Sequence, residues 1–365
     1  MKLDVKHEVT MIKVLIVDDS KLARLVLMKV LTADPEIRVI GTAANGEEAL
    51  RFLEKPPRGE IPDVVTMDMM MPGMDGFEAT RKIMETHPLP IVITTSSYKP
   101  QEVEKMFRAI EAGAVTILEK PGAVAHREFA AACKEFSDTV KVMAGVKVVR
   151  RWPRDKKKTP RPAATPIIHS NHSVLAMGAS TGGTGAFQQI LTQLPGELPA
   201  PIMMVQHIAG EFIPGMIQWL EKTTGFPVHL ARAGEKIQAG HVYIAPDDFH
   251  MGVMPGGDIE LSRSEKEEGV RPSVSYLFRS VARVYGKKAI GVLLTGMGRD
   301  GGQGLKVLRD AGALTIAQDE STSTVFGMPA EAIKLGGAQY ILPLKEIPIR
   351  IQQGLGLEPR PDNSE

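Results

Sequence analysis

Short hydrophobic runs that end in carboxylates are the feature that most constrains the fold of this chain. The run at residues 13–17 leads into Asp18 and Asp19, and the run at residues 64–67 leads into Asp68. Such runs are typical of buried strands in parallel sheets, and α/β folds place their chemistry at the carboxyl ends of those strands. Three clustered carboxylates repel one another unless a cation joins them, and these oxygen ligands favour Mg²⁺. The alternative is that each aspartate only caps the helix after its strand.

Two further strand ends in the N-terminal third of the chain carry polar residues. An apolar run at residues 90–94 leads into Thr95, and another at residues 114–119 leads into Lys120. A repeating strand–helix pattern brings both residues to the same edge as the aspartates. Taken alone, Thr95 fits an ordinary strand residue and a lysine before a proline carries little information. The combination indicates a functional site.

Residues 11–143 resemble the receiver domain of two-component response regulators. The matching segments are VDDS (17–20), DMMMPGMDG (68–76), TTSS (94–97) and EKPG (119–122). The resemblance implies a flavodoxin-like, doubly wound parallel sheet with Asp68 as the phosphoacceptor. It implies that Mg²⁺ is bound by Asp18, Asp19, Asp68 and the main-chain carbonyl of Met70.

The same resemblance implies roles for Thr95 and Lys120. Thr95 is expected to be the switch hydroxyl, and Lys120 the cation that pairs with the phosphoryl group on Asp68. These roles agree with the physics of phosphoryl transfer, in which fixed cations neutralise the developing charge and a hydroxyl can reorient to bind the product.

Composition bounds the remaining possibilities. With 365 residues and 43% hydrophobic content, the chain can fill two ordinary cores. A net charge of +1 provides no overall field toward nucleic acid or membrane. The single cysteine, Cys133, excludes an intramolecular disulfide and suits a reducing cytoplasm. The apolar runs are too short to span a bilayer, so a cytoplasmic protein without direct membrane insertion is expected.

The domain boundary is marked by a basic, proline-rich linker at residues 144–171. Its prolines cannot continue a helix, and its charges favour exposure to solvent. The positive charges also admit a nucleic-acid interpretation, but no aromatic platform or binding motif accompanies them. The expected organisation is a disordered extension at 1–10, domains at 11–143 and 172–355, and a tail at 356–365.

The second domain begins with an apolar strand and a glycine-rich turn that carries Ser180. Residues 178–182 match the pattern G-x-S-x-G, which exposes a serine hydroxyl at a helix N-terminus. Such a turn can serve as a phosphate cradle or hold a nucleophile. The cradle is weakened because the spacing G-x-G-x-x-G is not met.

A nucleophilic serine needs a base and an orienting acid, and two later strand ends supply candidates. The run at residues 202–206 leads into His207, and the run at 289–295 leads into a glycine-rich turn with Asp300. The order Ser180, His207, Asp300 argues against an α/β-hydrolase, in which the acid precedes the histidine.

Each candidate also has a plainer interpretation. His207 could be a core histidine, and Asp300 could cap a helix that starts at Gly302. His250, in a polar loop after a strand-like run, is the main rival base, and His241 is a lesser one.

Residues 172–350 resemble the catalytic domain of chemotaxis protein-glutamate methylesterases. The matching segments are GASTGG (178–183), VQH (205–207), VYIAPDDFHM (242–251), RPSVSYLF (271–278), LLTGMGRDGG (293–302), AGALTIAQ (311–318) and VFGMPAEAI (325–333). The resemblance implies a Rossmann-like parallel sheet, with Ser180 as nucleophile, His207 as base and Asp300 as the acid that holds it. The amides of Thr181 and Met297 are implied as oxyanion-hole donors. Arg299 and Gly185 depart from the family pattern and leave substrate preference open.

Together the two resemblances imply a phosphorylation-regulated serine hydrolase. It would demethylate glutamate methyl esters, and deamidate glutamines, on the cytoplasmic helices of methyl-accepting chemotaxis receptors. A chemotaxis histidine kinase would be the phosphodonor, and the hydrolase itself would need no cofactor. The alternatives are a methylesterase of another signalling pathway, a non-catalytic adaptor, and a DNA-binding response regulator with a helix-turn-helix after the linker.

Overall fold

The structure is a computed structural model that describes residues 11–96, 100–122, 126–148 and 173–358. The expected extension at 1–10, most of the expected linker at 144–171 and the end of the expected tail lie outside these residues. The chain divides into two compact units, Met1–Asp155 and Lys156–Glu365.

The first unit is built on a five-stranded parallel sheet. Its strands are β1 (Ile12–Val17), β2 (Ile37–Ala43), β3 (Val64–Asp68), β4 (Ile91–Thr95) and β5 (Thr116–Glu119). Its helices are α1 (Lys21–Thr32), α2 (Gly46–Glu54), α3 (Gly76–Thr86), α4 (Pro100–Ala112) and α5 (His126–Ala144), with a 3₁₀ turn at Pro57–Gly59. Buried aliphatic residues dominate β1, β3 and β4, as expected for strands covered on both faces.

The strand order of the first sheet is β2-β1-β3-β4-β5. The chain therefore reverses direction across the sheet between β1 and β3, and α/β folds bind ligands in the crevice at such a point. The residues that follow β1 and end β3 are Asp18 and Asp68. The topology thus places the two predicted carboxylates side by side at this crevice.

The second unit is built on a seven-stranded parallel sheet with a separate two-stranded antiparallel ribbon. The sheet strands are β6 (Val174–Ala179), β7 (Ile202–Gln206), β8 (Val228–Leu230), β9 (Val242–Ile244), β12 (Ala289–Leu293), β13 (Leu314–Gln318) and β14 (Tyr340–Leu342). The ribbon strands are β10 (His250–Val253) and β11 (Ile259–Ser262).

The helices of the second unit cover a continuous apolar core. They are α6 (Gly183–Gln193), α7 (Ile213–Thr224), α8 (Val274–Tyr285), α9 (Gly302–Asp310), α10 (Met328–Lys334) and α11 (Ile347–Gly354), with 3₁₀ turns at Gly210–Phe212 and Gly286–Lys288. The apolar side of α8 packs into this core through Leu277, Phe278 and Val281, which are fully buried with Met203 and Val205 of β7. Burial of side chains of this size stabilises the fold by roughly 1.5–3 kcal/mol each.

The strand order of the second sheet is β14-β13-β12-β6-β7-β9-β8. The chain starts in the middle at β6, builds one side through β7, and later returns to build the other side from β12. The three middle strands, β12, β6 and β7, are those that lead into Asp300, Ser180 and His207. The prediction of two doubly wound parallel-sheet domains is confirmed by this topology.

In the part of the chain that the structure describes, we find no helix with the length and apolar character needed to cross a bilayer.

Candidate active site and phosphoacceptor site

In the first unit, Lys120 bridges two carboxylates at the carboxyl edge of the sheet. Its Nζ lies 2.5 Å from Oδ1 of Asp68 and 2.7 Å from Oδ2 of Asp18. Asp18 is fully buried and Asp68 is 7% exposed. One ammonium group cannot neutralise two buried carboxylates, so a net negative charge remains at this edge.

The pKa values reflect this imbalance. Burial raises the pKa of Asp68, because the opposing effect of the hydrogen bond and charge of Lys120 is smaller. Burial also disfavours the charged form of Lys120, but its hydrogen bonds to Asp18 and Asp68 outweigh it and raise the pKa of the ammonium group. The lysine therefore stays charged beside the two carboxylates.

The predicted receiver residues all line one pocket at this edge of the sheet. One ligand oxygen from each of Asp18, Asp19 and Asp68 lies within 4.8 Å of the other two. The amide of Met70 donates to Oδ2 of Asp68 at 3.0 Å, and its side chain is exposed. Thr95 is buried at the end of β4 and lines the pocket, whose volume is about 690 Å³. This set of oxygen donors fits a hard divalent cation.

In the second unit, Ser180 follows β6 on a tight turn into α6. Its amide donates to the carbonyl of Thr295 at 3.0 Å, and its own carbonyl accepts from the amide of Gly183 at 2.8 Å. Gly182 has φ +79°, and an added Cβ would lie 2.4 Å from Oγ1 of Thr324. The second glycine of the motif is thus required both by the backbone conformation and by the close approach of Thr324.

His207 directly follows β7, the strand that pairs with β6. Ala179 and Gln206 are paired across β6 and β7, so Ser180 and His207 both follow paired strand ends. The amide of His207 donates to the carbonyl of Ala179 at 3.1 Å. Ser180 and His207 are therefore carried by neighbouring strands, and the backbones of neighbouring strands in a sheet lie about 4.8 Å apart.

The imidazole of His207 pairs with Asp300. Nε2 of His207 lies 3.0 Å from Oδ2 of Asp300, and the histidine side chain is 15% exposed. With Nε2 engaged by the carboxylate, Nδ1 is the ring nitrogen left to serve the serine. The hydroxyl of Ser180 makes no hydrogen bond to any residue in the described ranges, so its link to Nδ1 is not formed in this structure. Catalytic hydrogen bonds often tighten only when substrate binds.

Asp300 is buried and accepts an unusual number of hydrogen bonds. Besides His207, its donors are the hydroxyl of Ser273 (2.8 Å) and the amides of Val274 (2.6 Å), Ser275 (3.0 Å) and Gly301 (2.8 Å). Burial alone would raise its pKa, but the hydrogen bond and charge of His207 and the backbone donors outweigh it and lower the pKa to about 2. Asp300 is therefore a stable carboxylate in the interior.

The geometry also decides between the interpretations that the sequence left open for Asp300. Helix α9 begins at Gly302 with Gly301 as its N-cap, and no side chain caps it. The carboxylate instead binds the first amides of α8, where the positive end of the helix dipole favours an anion. The capping interpretation was wrong about which helix is involved.

His250 is placed as a structural histidine. It is fully buried, its Nδ1 accepts from the amide of Ser273 at 3.1 Å, and its Nε2 lies 3.0 Å from the carbonyl of Glu265. Its ring stacks on Tyr276 with centroids 4.8 Å apart. Both ring nitrogens are occupied, so His250 has no nitrogen with which to accept a proton from a serine. The lesser rival, His241, pairs with His229.

The two predicted oxyanion-hole amides lie on the turn after β6 and on the loop after β12. Thr181 follows Ser180 directly, and Met297 lies on the loop after β12, where it is 47% exposed. Within the described residues, neither amide donates to a protein acceptor. Gly296 approaches the serine so closely that a Cβ there would lie 2.7 Å from Cβ of Ser180. Neither amide is therefore engaged by another described residue, as an oxyanion-hole donor requires.

Some functional contacts were not predicted from the sequence. Ser273 is the N-cap of α8, accepting from the amide of Tyr276 at 3.2 Å while its hydroxyl reaches Asp300. A serine directly before an apolar periodic stretch is a recognisable helix start. That signal locates the helix N-terminus, but it does not reveal that an aspartate 27 residues later binds there.

The sequence of this chain matches known protein families over both units. A family model described as CheB methylesterase matches residues 175–351, and one described as a response regulator receiver domain matches residues 14–130. A protein-glutamate methylesterase/protein-glutamine glutaminase of Syntrophus aciditrophicus (strain SB) is 49% identical over 342 residues, covering 92% of this chain and 96% of the relative. The chain belongs to the protein-glutamate methylesterase/protein-glutamine glutaminase family.

Other members of this methylesterase family match to a similar extent. A relative from Geobacter metallireducens (strain ATCC 53774 / DSM 7210 / GS-15) is 49% identical over 336 residues, covering 91% of this chain and 96% of its own length. A solved structure is also similar, the crystal structure of the Thermotoga maritima CheB methylesterase catalytic domain. Its sequence is 38% identical and its TM-score is 0.48, and the match covers 50% of this chain and 98% of the Thermotoga chain. The two family models and the full-length relatives confirm the resemblance to a receiver joined to a methylesterase domain.

Proposed function

We propose that this chain is a phosphorylation-regulated serine hydrolase that removes methyl groups from glutamate methyl esters on chemotaxis receptors. Its relatives are named for glutamate methylesterase and glutamine glutaminase activity, and both activities are proposed for this chain. The observation that carries the proposal is the His207–Asp300 pair, whose members follow β7 and β12, the two strands that flank the Ser180-bearing strand β6.

In the proposed reaction, Oγ of Ser180 attacks the γ-carbonyl carbon of the glutamate methyl ester. Nδ1 of His207 takes the hydroxyl proton, because its Nε2 is held by Asp300. The proton then passes to the departing methoxide, which leaves as methanol and leaves an acyl-enzyme. Water enters, His207 takes its proton, and hydrolysis returns that proton to Ser180 and releases free glutamate.

Deamidation follows the same sequence of steps, with ammonia in place of methanol. Amide cleavage requires protonation of a poorer leaving group, so it depends more strongly on His207 acting as an acid. The amides of Thr181 and Met297 are proposed to hold the oxyanion in both reactions. Each such donor contributes on the order of 3 kcal/mol to stabilisation of the transition state.

For the receiver unit, we propose that Asp68 accepts a phosphoryl group from a chemotaxis histidine kinase. The carboxylates of Asp18, Asp19 and Asp68, with the carbonyl of Met70, would hold Mg²⁺, which supplies charge neutralisation during transfer. The net negative charge beside Lys120 supports cation binding there. Lys120 pairs with the phosphorylated product, and Thr95 reorients toward it.

The proposed partners are the methylated cytoplasmic helices of chemotaxis receptors and the kinase, and the proposed location is the cytoplasm. Regulation follows from the joining of the two units in one chain. We propose that the unphosphorylated receiver restricts receptor access to Ser180, and that phosphorylation shifts the population toward an open form.

The test is methanol release from methylated receptor, measured with and without a small-molecule phosphodonor. The wild-type chain should release methanol faster with the phosphodonor, and Ser180→Ala should release none while keeping its circular dichroism spectrum. A fluorophosphonate should label Ser180 in the wild type. If Ser180→Ala retains activity, the serine mechanism is wrong.

A second variant pair tests the assignment of the base. His207→Ala should fall to the level of Ser180→Ala, whereas His250→Asn should lose mainly thermal stability, because its hydrogen bonds are structural. Loss of activity in the His250 variant with retention in the His207 variant would reverse the assignment. A non-catalytic adaptor predicts no effect of either variant on methanol release, since none would be released.

A further inference from the structure

Gln206, the last residue of β7, contacts the backbone of both the proposed nucleophile, Ser180, and the proposed base, His207. Its side chain is 5% exposed, and its Nε2 donates to the carbonyl of Ser180 at 2.8 Å and to the carbonyl of His207 at 3.0 Å. One buried amide group therefore ties the turn that carries the serine to the strand end that carries the histidine. The reaction steps proposed above do not use this residue.

The orientation of the Gln206 amide follows from its partners. Both neighbouring atoms are carbonyl oxygens, which only accept, so the NH₂ group must face them and Oε1 must face away. Oε1 is then buried without a hydrogen-bond partner in the described structure. An unsatisfied buried acceptor lowers the stability of the fold. The chain tolerates that cost while keeping both donated hydrogen bonds.

The neighbouring helix is shaped to fit this amide. Gly183 begins α6, and a Cβ at that position would lie 2.4 Å from Oε1 of Gln206 and 2.4 Å from Cβ of Ala179. Any larger residue would push the Gln206 amide away from the Ser180 carbonyl. The glycine therefore gives the amide the space it occupies beneath the turn.

The carbonyl of Ser180 belongs to the same peptide unit as the amide of Thr181. The peptide bond is planar and trans, so the C=O and N–H of this unit point in opposite directions. Donation by Gln206 to the carbonyl of Ser180 therefore fixes the direction of the Thr181 N–H, the proposed oxyanion donor. Thr295 holds the other side of Thr181, since its Oγ1 donates to the Thr181 carbonyl at 3.0 Å.

We propose that Gln206 is a positioning residue that holds the Thr181 amide in its oxyanion-binding orientation and fixes the serine-bearing turn against the histidine-bearing strand. This inference rests on the proposed roles of Ser180, Thr181 and His207. It adds a distinct expectation, because a residue that orients the oxyanion hole affects the transition state more than the bound substrate.

The test compares Gln206→Met with wild type in the full chain, using methylated receptor and a phosphodonor. Methionine has nearly the same shape but donates no hydrogen bond, so the Ser180–Thr181 peptide can rotate. We expect kcat to fall roughly 10- to 100-fold with KM changed less than about twofold. The loss is smaller than the ~10²–10³-fold cost of deleting an oxyanion donor, because Gly183 still donates to the Ser180 carbonyl.

A trifluoromethyl ketone analogue of the glutamate ester gives an independent measurement. Its adduct with Ser180 carries an oxyanion, so its inhibition constant should rise by the same factor by which kcat falls. If Gln206→Met does not fold, Gln206→Asn replaces it, since an amide one methylene shorter cannot reach both carbonyls. An unchanged inhibition constant in the folded variant would contradict the proposal.

Thr224→Val is the matched control for the loss of buried hydrogen bonds. Thr224 is buried at the end of α7, donates to the carbonyl of Leu220 at 2.7 Å and accepts from the amide of Phe226 at 3.3 Å. The Thr224→Val variant should have a lower melting temperature than wild type but a kcat near the wild-type value. If Gln206→Met behaves like Thr224→Val while Ser180→Ala is inactive, the serine mechanism stands and the role of Gln206 is purely structural.

Discussion

At the scale of single residues, Asp300 is held by five hydrogen-bond donors, most of which are backbone amides or hydroxyls rather than charged groups. These donors keep Asp300 ionised, as the proposed mechanism requires for stabilising the imidazolium of His207. The Nε2 of His207, rather than Nδ1, is the nitrogen that meets the carboxylate. In the proposed mechanism Nδ1 therefore takes the serine proton, the reverse of the Ser-His-Asp arrangement in chymotrypsin-like proteases.

Asp300→Asn is expected to lower kcat by about 10³–10⁴-fold, because the asparagine NH₂ group favours the wrong imidazole tautomer and cannot stabilise the imidazolium. The measurement is methanol release at saturating receptor, with folding checked by circular dichroism. A loss of less than tenfold in a folded variant would mean that Asp300 does not act through His207.

The low pKa of Asp300 predicts a specific dependence of stability on pH. Its pKa is about 2 in the folded protein against a usual 3.8, so the folded state binds fewer protons in that interval. The stabilisation is fully present above about pH 4 and is lost as the pH falls toward 2. We expect a loss of roughly 2 kcal/mol in the free energy of unfolding from this group.

This loss can be followed by urea unfolding monitored through the fluorescence of Trp219, which is buried in α7. The Asp300→Asn variant provides the control, since it lacks the titrating group. Its free energy of unfolding should depend less steeply on pH between 4 and 2. Equal slopes for the two proteins would contradict the assigned pKa.

At the scale of elements, the N-terminus of α8 serves as the anion site for Asp300. Ser273 caps this helix and also donates to Oδ1 of Asp300. Ser273→Ala should lower the free energy of unfolding by about 1 kcal/mol and reduce kcat only a few-fold, because four donors to Asp300 remain. Both quantities are measured on the full chain, by thermal unfolding and by methanol release.

The matched control for this variant is Asn45→Ala. Asn45 caps α2 in the first unit by accepting from the amide of Glu48 at 2.9 Å, so its loss removes a helix cap outside the hydrolase unit. The Asn45→Ala variant should lose about as much free energy of unfolding as Ser273→Ala, with no change in kcat. A fall in kcat equal to that of Ser273→Ala would show that lost capping alone explains the effect.

The sequence predicted the strand ends well and the contacts between distant segments poorly. Ser180, His207 and Asp300 could be predicted as neighbours because hydrophobic periodicity locates strands, and parallel topology brings their carboxyl ends together. The partners of His250 and the amide of Gln206 were not predictable in this way. Their roles depend on which atoms meet after folding, and no local pattern encodes a hydrogen bond to a carbonyl 26 residues away.

At the scale of the whole molecule, the phosphoacceptor and the hydrolase occupy separate compact units of one chain. If the unphosphorylated receiver restricts access to Ser180, removal of residues 1–150 should raise methanol release in the absence of a phosphodonor. Asp68→Asn in the full chain should keep the basal rate and lose stimulation by the phosphodonor. The measurement is the initial rate with intact receptor.

Small esters offer the control for this prediction, since a restricted opening excludes a receptor helix more than a small molecule. Hydrolysis of a small glutamate methyl ester should change little on truncation. A truncated protein that is folded but no faster on receptor would count against inhibition by the receiver.

The middle strands of the seven-stranded sheet are β12, β6 and β7, which lead into Asp300, Ser180 and His207. Each is bonded on both sides, whereas β8 and β14 each present one open edge. A change in an outer strand or its loop therefore leaves the hydrogen-bonded pairing of the three middle strands in place. Alterations at the rim of this sheet should accordingly be tolerated better than alterations in its centre, where three backbones set the spacing of Ser180, His207 and Asp300.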